Sequence, residues 1–126
     1  MTGRVEWIVV AHGSRAEGTV EDHEALCRSL ADRAGGDAAV VRAAFLELNA
    51  PSIPDAIDLS VADGADRVVL LPYFLHAGNH TRRDIPALMA EAEGRHPGVE
   101  LVLAGHLAPH GALVDVLLDR ARAVEP

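Results

Sequence analysis

Lysine is absent from this 126-residue chain; all 11 basic residues are arginine. With no lysine and no G-x-x-x-x-G-K-[ST] pattern, a phosphate-cradling nucleotide loop is excluded, because that loop needs a lysine to reach the phosphates. The all-arginine set reads either as compositional bias or as carboxylate recognition, since guanidinium forks pair bidentately with carboxylates. Cysteine is nearly absent. Cys27 alone allows neither an intramolecular disulfide nor a thiolate metal cluster, so the cytoplasm is the expected compartment. Aromatics make up only 3% (Trp7, Phe45, Tyr73 and Phe74), too few for a base-stacking platform. A net charge of -8 opposes binding to duplex DNA, so no nucleic-acid partner is expected. Long apolar runs are missing as well. The longest, Val68 to Leu75, falls far short of the roughly 20 residues of a membrane helix. The run Trp7 to Ala11 behind Glu6 is shorter than a signal-peptide core of about 7–15 residues. No membrane association is expected.

What is present is aliphatic: 49% of residues are hydrophobic. The length matches a common domain size of roughly 100–150 residues, so residues 1–126 read as one domain with one core. Such a chain buries roughly two thirds of its unfolded surface without staples. Four short runs rich in β-branched residues, Val5–Ala11, Ala38–Phe45, Arg67–Pro72 and Val99–Ala104, lack polar alternation, as strands covered on both faces do. They alternate with helical patterns over about Val20–Ala34, Ile53–Asp63, Ile85–Gly94 and Ala112–Val124. Thr19 reads as the cap of the first helix, Ser52 with Asp55 as a capping box for the second, and Asp84 with Pro86 as the start of the third. Gly35-Gly36, Gly64 and His96-Pro97-Gly98 stop the first three helices. The expected fold class is α/β: a single four-stranded parallel sheet flanked by helices, flavodoxin-like, with right-handed crossovers.

In such a sheet, ligands bind outside the carboxyl ends of the strands. Five of the seven histidines, namely His12, His76, His80, His106 and His110, fall just after a predicted strand; His23 and His96 do not. Imidazole is the commonest ligand of first-row transition metals, and a carboxylate among imidazoles suits Fe, Co, Ni or Zn. His12, Glu47 and His80 follow three different strands and can converge on one ion; taken singly, each also reads as an ordinary polar loop residue. The spacings His76/His80 and His106/His110 would pair rings on a helix, but Gly78 and Pro109 interrupt them, and a helical zinc pair is not expected. A phosphohistidine phosphatase would need arginine before His12, where Ala11 stands, and a serine hydrolase built on Ser14 would need G-x-S-x-G, which is absent. Ser14 reads as a turn residue.

The segments Ala11-His12-Gly13-Ser14-Arg15, Ala44-Phe45-Leu46-Glu47-Leu48 with Pro51-Ser52, and Leu71-Pro72-Tyr73-Phe74-Leu75 with Gly78-Asn79-His80 and Asp84-Ile85-Pro86 resemble, in order, the short CbiX/SirB-type sirohydrochlorin chelatases. The resemblance runs from Ile8 to about Leu118. It implies ATP-independent insertion of a divalent metal, Co²⁺, Fe²⁺ or Ni²⁺, into sirohydrochlorin for cobalamin, sirohaem or nickel tetrapyrroles. Co²⁺ and Fe²⁺ are the favoured metals. By the same resemblance His12 and His80 match the metal-site histidines and Glu47 the acidic residue that assists them. A departure lies after Arg15, where Ala16-Glu17-Gly18-Thr19 replaces an Asp-Pro and Asn-rich turn.

Sirohydrochlorin carries eight carboxylates, so the protein's own acidity opposes binding. Arg15, Arg82 and Arg83 stand near the expected ligands and are expected to offset it by pairing with those carboxylates. Phe74 and His76 are expected to join them in the substrate site. One sheet edge walls one face of a macrocycle, and longer chelatases resemble two such domains in tandem; a chelatase-like half domain is therefore expected to work as a homodimer. The alternative is a non-catalytic protein of the same fold that carries a tetrapyrrole or a metal ion, and a third reading is a flavodoxin-like interaction domain.

Overall fold

The computed structural model describes residues 3–126, with Asn79 and His80 described in their backbone only. Strands β1 (Val5–Ala11), β2 (Val40–Phe45), β3 (Arg67–Pro72) and β4 (Glu100–Leu103) alternate with helices α1 (Thr19–Ala34), α2 (Ile53–Ala62), α3 (Asn79–Arg95) and α4 (Gly111–Ala123). The sheet order is β2-β1-β3-β4, every pair parallel, which is the start of the flavodoxin-like order. β1 and β3 occupy the expected residues. β2 begins later than expected because residues 35–37 form a 3-10 turn, leaving Ala39 to make a single bond to the Val5 carbonyl, 2.8 Å.

The core lies on one face of the sheet. Ile8 and Val10 of β1 and Val68 and Leu70 of β3 alternate onto it and meet Ile53, Ala56 and Ile57 of α2 and Ile85, Met89 and Ala92 of α3. The α2 and α3 residues recur at helical spacing. Ser52 caps α2 as expected, its hydroxyl accepting the Asp55 N–H at 3.2 Å. Two expected helix starts are corrected. Thr19 does not cap α1: Gly18, at φ 85°, holds the cap position, and the Thr19 hydroxyl donates to the Ala16 carbonyl at 2.8 Å. α3 begins at Asn79, not near Ile85, because the Thr81 hydroxyl accepts the Gly78 N–H at 2.8 Å and closes the first turn. Pro86 therefore sits inside α3 and removes one ladder bond; the buried stripe Ile85, Met89 and Ala92 holds the helix on the sheet regardless. His80 thus lies on a helix and His76 does not.

At the amino end of the sheet, Glu6 is fully buried and shared by two arginines, Arg4 Nε at 2.8 Å and Arg42 Nη2 at 2.9 Å. Both arginines reach Asp63, at 3.0 and 3.4 Å, and Arg42 Nε donates to buried Ser60 at 3.2 Å. Hydrogen bonds to Glu6 and then Asp63 raise the Arg4 pKa, and hydrogen bonding within this Glu6–Arg4–Asp63 cluster holds Asp63 below the usual carboxylate range. Among the described residues, no helix is long and apolar enough to cross a membrane.

Candidate functional site

Parallel register places Ala11 opposite Phe45, and the pairing runs on past both strands. Leu46 N–H donates to the Ala11 carbonyl at 2.9 Å and Glu47 N–H to the His12 carbonyl at 3.1 Å. Two loops at the carboxyl edge are thereby zipped together, and their side chains meet: His12 Nε2 lies 2.9 Å from Glu47 Oε1. Both side chains are about half exposed, so the pair is open to ligand. Glu47 thus sets a carboxylate beside the imidazole, a partner for the ring when it carries a proton or a metal. Phe74 stands edge-on to the His12 ring, centroids 6.3 Å apart at 90°.

Three features that sequence reasoning did not single out set this geometry. Gly13 has φ 99°, and a Cβ there would run into the Glu47 carbonyl; only glycine lets the two loops close. Leu48 follows with φ 68°, and Asn49 N–H bonds the Glu47 carbonyl at 2.8 Å, a γ-turn strained for a branched residue. Asn49 Oδ1 in turn accepts the Ser14 N–H at 2.8 Å, tying the β1–α1 loop to the β2–α2 loop. Asn49 before Ala50-Pro51 carries a turn signal in the sequence; the strain at Leu48 carries none. Ser14 is a turn residue as expected, its hydroxyl accepting Ala16 N–H at 3.0 Å.

His12 and Glu47 line a recess of about 450 Å³ with Leu46, Asp84, Leu88 and Glu91. Arg15, His76, Arg82 and Arg83 are exposed at the same edge of the sheet, but Arg82 lines a different recess, with Thr81 and His106 between α3 and the end of β4. The His80 backbone opens α3 just past the Gly78 cap; its side chain, the third expected ligand, lies outside the described residues. Among the described residues, no three His, Cys, Asp or Glu side chains converge as a metal site. His110 caps α4, its Nδ1 accepting Ala112 N–H at 3.0 Å. His23 is buried beneath the site, bonded through Nε2 to the Val9 carbonyl at 2.8 Å and tilted against Phe45 and Tyr73. His96 lies away from this edge, on Asp58 at 2.7 Å.

The chain is 39% identical over 113 residues to the chloroplastic sirohydrochlorin ferrochelatase of Arabidopsis thaliana, covering 90% of this chain and 49% of that protein. It is 29% identical over 139 residues to a sirohydrochlorin cobaltochelatase of Methanococcus aeolicus, covering 91% of this chain and 96% of that one. Its fold superposes on the sirohydrochlorin chelatase SirB of Bacillus subtilis subspecies spizizenii in complex with cobalt, with a TM-score of 0.87, 25% identity, and coverage of 96% of this chain and 51% of SirB. It thus spans about half the length of the Arabidopsis protein and of SirB, and nearly all of the methanococcal one. The CbiX family model matches residues 6–124, and the chain belongs to the CbiX family.

Proposed function

We propose that this protein is a sirohydrochlorin chelatase, inserting Co²⁺ or Fe²⁺ into the macrocycle without a nucleotide. The observation that carries the reading is the His12–Glu47 pair at 2.9 Å, exposed at the ligand-binding edge of a fold shared with SirB. Insertion exchanges two pyrrole N–H protons for one metal ion, so the site must hold a partly desolvated cation and accept protons. Glu47 orients the His12 ring, and His12 and His80 hold the metal and take the protons. Phe74 and His76 line the macrocycle, while Arg15, Arg82 and Arg83 pair with its carboxylates. Formation of a stable chelate drives the reaction, and the absence of lysine fits a reaction that uses no phosphate loop.

Residues 1–126 act as one chelatase-like unit, and two copies supply the two walls a macrocycle needs. We place the protein in the cytoplasm, consistent with a single buried thiol, Cys27, whose burial pushes its pKa up to about 11.

The test is anaerobic incubation with sirohydrochlorin and each metal, followed by visible absorption. The wild type accelerates insertion over the spontaneous reaction; His12→Ala and His80→Ala lose that acceleration, and Glu47→Gln loses about 10–100-fold. Arg82→Ala with Arg83→Ala raises KM and spares kcat. No acceleration with any metal would remove the assignment.

A further inference from the structure

Among the described residues, α4 and part of one sheet face lack a covering partner. α4 has no buried residue. Leu113, Leu117, Ala121 and Val124 with Val114 and Leu118 fall on one side of it by helical spacing, while Asp115, Asp119 and Arg122 fall on the other. That apolar side faces water: Val114 is 64%, Leu117 70% and Val124 84% exposed. An isolated amphipathic helix of this length is marginal in water, since most helix stability comes from packing the apolar side.

The sheet shows the matching gap. α2 and α3 cover one face, and α1 covers the other face over β1 and β2. Register lines up Trp7, Val69 and Val102 across β1, β3 and β4 on that second face, and all three are only partly buried. Beside them runs an open apolar groove of about 470 Å³, lined by Val9, Leu26, Leu30, Leu71, Tyr73 and Leu107, with Arg33 on its wall. A 13-residue helix is about 20 Å long, and a six-residue strand such as β3 is also about 20 Å, so a helix laid along the groove matches the strand beneath it in length.

We infer that two copies of this chain exchange α4, each helix lying in the other copy's groove over β3 and β4. The inference rests on the homodimer reading above. A helix of this length and diameter buries about 400 Å² of itself and as much of the groove; two exchanged helices bury about 1,600 Å² in all, the size of a standard stable interface. The exchange also has a consequence for the site. The groove is closed by Leu107 and Tyr73, and Leu107 N–H bonds the Phe74 carbonyl at 2.8 Å, so the partner helix braces the loop that carries Phe74 and His76.

Sedimentation and disulfide trapping test it on the full chain. In a Cys27→Ala background, chains carrying Leu30→Cys are co-expressed with differently tagged chains carrying Val114→Cys or Leu117→Cys. The expected result is a dimer that forms a disulfide between unlike chains, and a Leu117→Asp variant that sediments as a folded monomer whose helix content falls by no more than α4. A monomer in which Leu30→Cys and Leu117→Cys bond within one chain would mean that α4 folds onto its own sheet, overturning the exchange and the homodimer together. A dimer that resists Leu117→Asp and forms no such bond would place the interface elsewhere, overturning the exchange alone. Neither readout depends on metal insertion.

Discussion

Replacing Gly13 by alanine tests how the site is held together. At φ 99° a side chain is strained, and the added Cβ would overlap the Glu47 carbonyl oxygen, a backbone atom that cannot rotate away. The backbone strain costs about 1–3 kcal/mol, and forcing a methyl into filled space about 1–3 kcal/mol more. With a melting entropy of about 2.1 cal/mol/K per residue, a loss of about 2–6 kcal/mol lowers Tm by roughly 8–23 °C in a chain of this length. The clash also pushes Glu47 off His12, so metal insertion by the folded fraction falls as in Glu47→Gln. Gly36→Ala is the control, since nothing lies within 4 Å of a Cβ at Gly36; its Tm and activity stay at wild-type values. Calorimetry and the absorption assay on both variants check this. A Gly13→Ala protein that melts and metalates like the wild type would show that the two loops are not locked through this contact.

Glu6→Ala removes the shared acceptor of Arg4 and Arg42 and costs about 3 kcal/mol, as breaking buried ion pairs does; activity per folded molecule stays unchanged, because the cluster lies at the other end of the sheet. Denaturant melts beside turnover measure both. Gly94→Ala, inside α3 with open space around its Cβ, raises stability by about 0.5–1 kcal/mol, read as a higher denaturation midpoint. Asp58, held below its ordinary pKa by its hydrogen bond to His96 and then by Arg95, contributes stability above the unfolded aspartate pKa and loses it as pH falls through the folded value. Asp58→Asn therefore lowers the midpoint at neutral pH, by at most about 1 kcal/mol for so exposed a pair, and matches wild type in acid well below the aspartate range.

Strands β1 and β3 were legible to the residue because both read as apolar runs rich in β-branched residues, with one face of each wholly buried. The start of α3 was not. Gly78 and Pro86 are helix breakers in isolation, and what overrides them is tertiary: a Thr81 hydroxyl turned onto the Gly78 backbone and a stripe of three residues fixed to the sheet. At the site, His12 and Glu47 were legible because topology alone brings strand ends together. The braces were hidden, since the strain at Leu48 and the Asn49–Ser14 bond exist only once two loops distant in sequence are side by side. α4 was read as a helix from its own periodicity, but periodicity does not say whose sheet its apolar side covers.

The seven residues of β1 have one further consequence. Glu6 anchors the frame at one end of the strand, and His12 stands just past the other. Selection can therefore rework the exposed side chains of the loops beyond β1 and β2 without disturbing the Glu6 cluster, provided that the close approach at Gly13 is kept. A lineage built on such a strand can vary that edge without first becoming fragile.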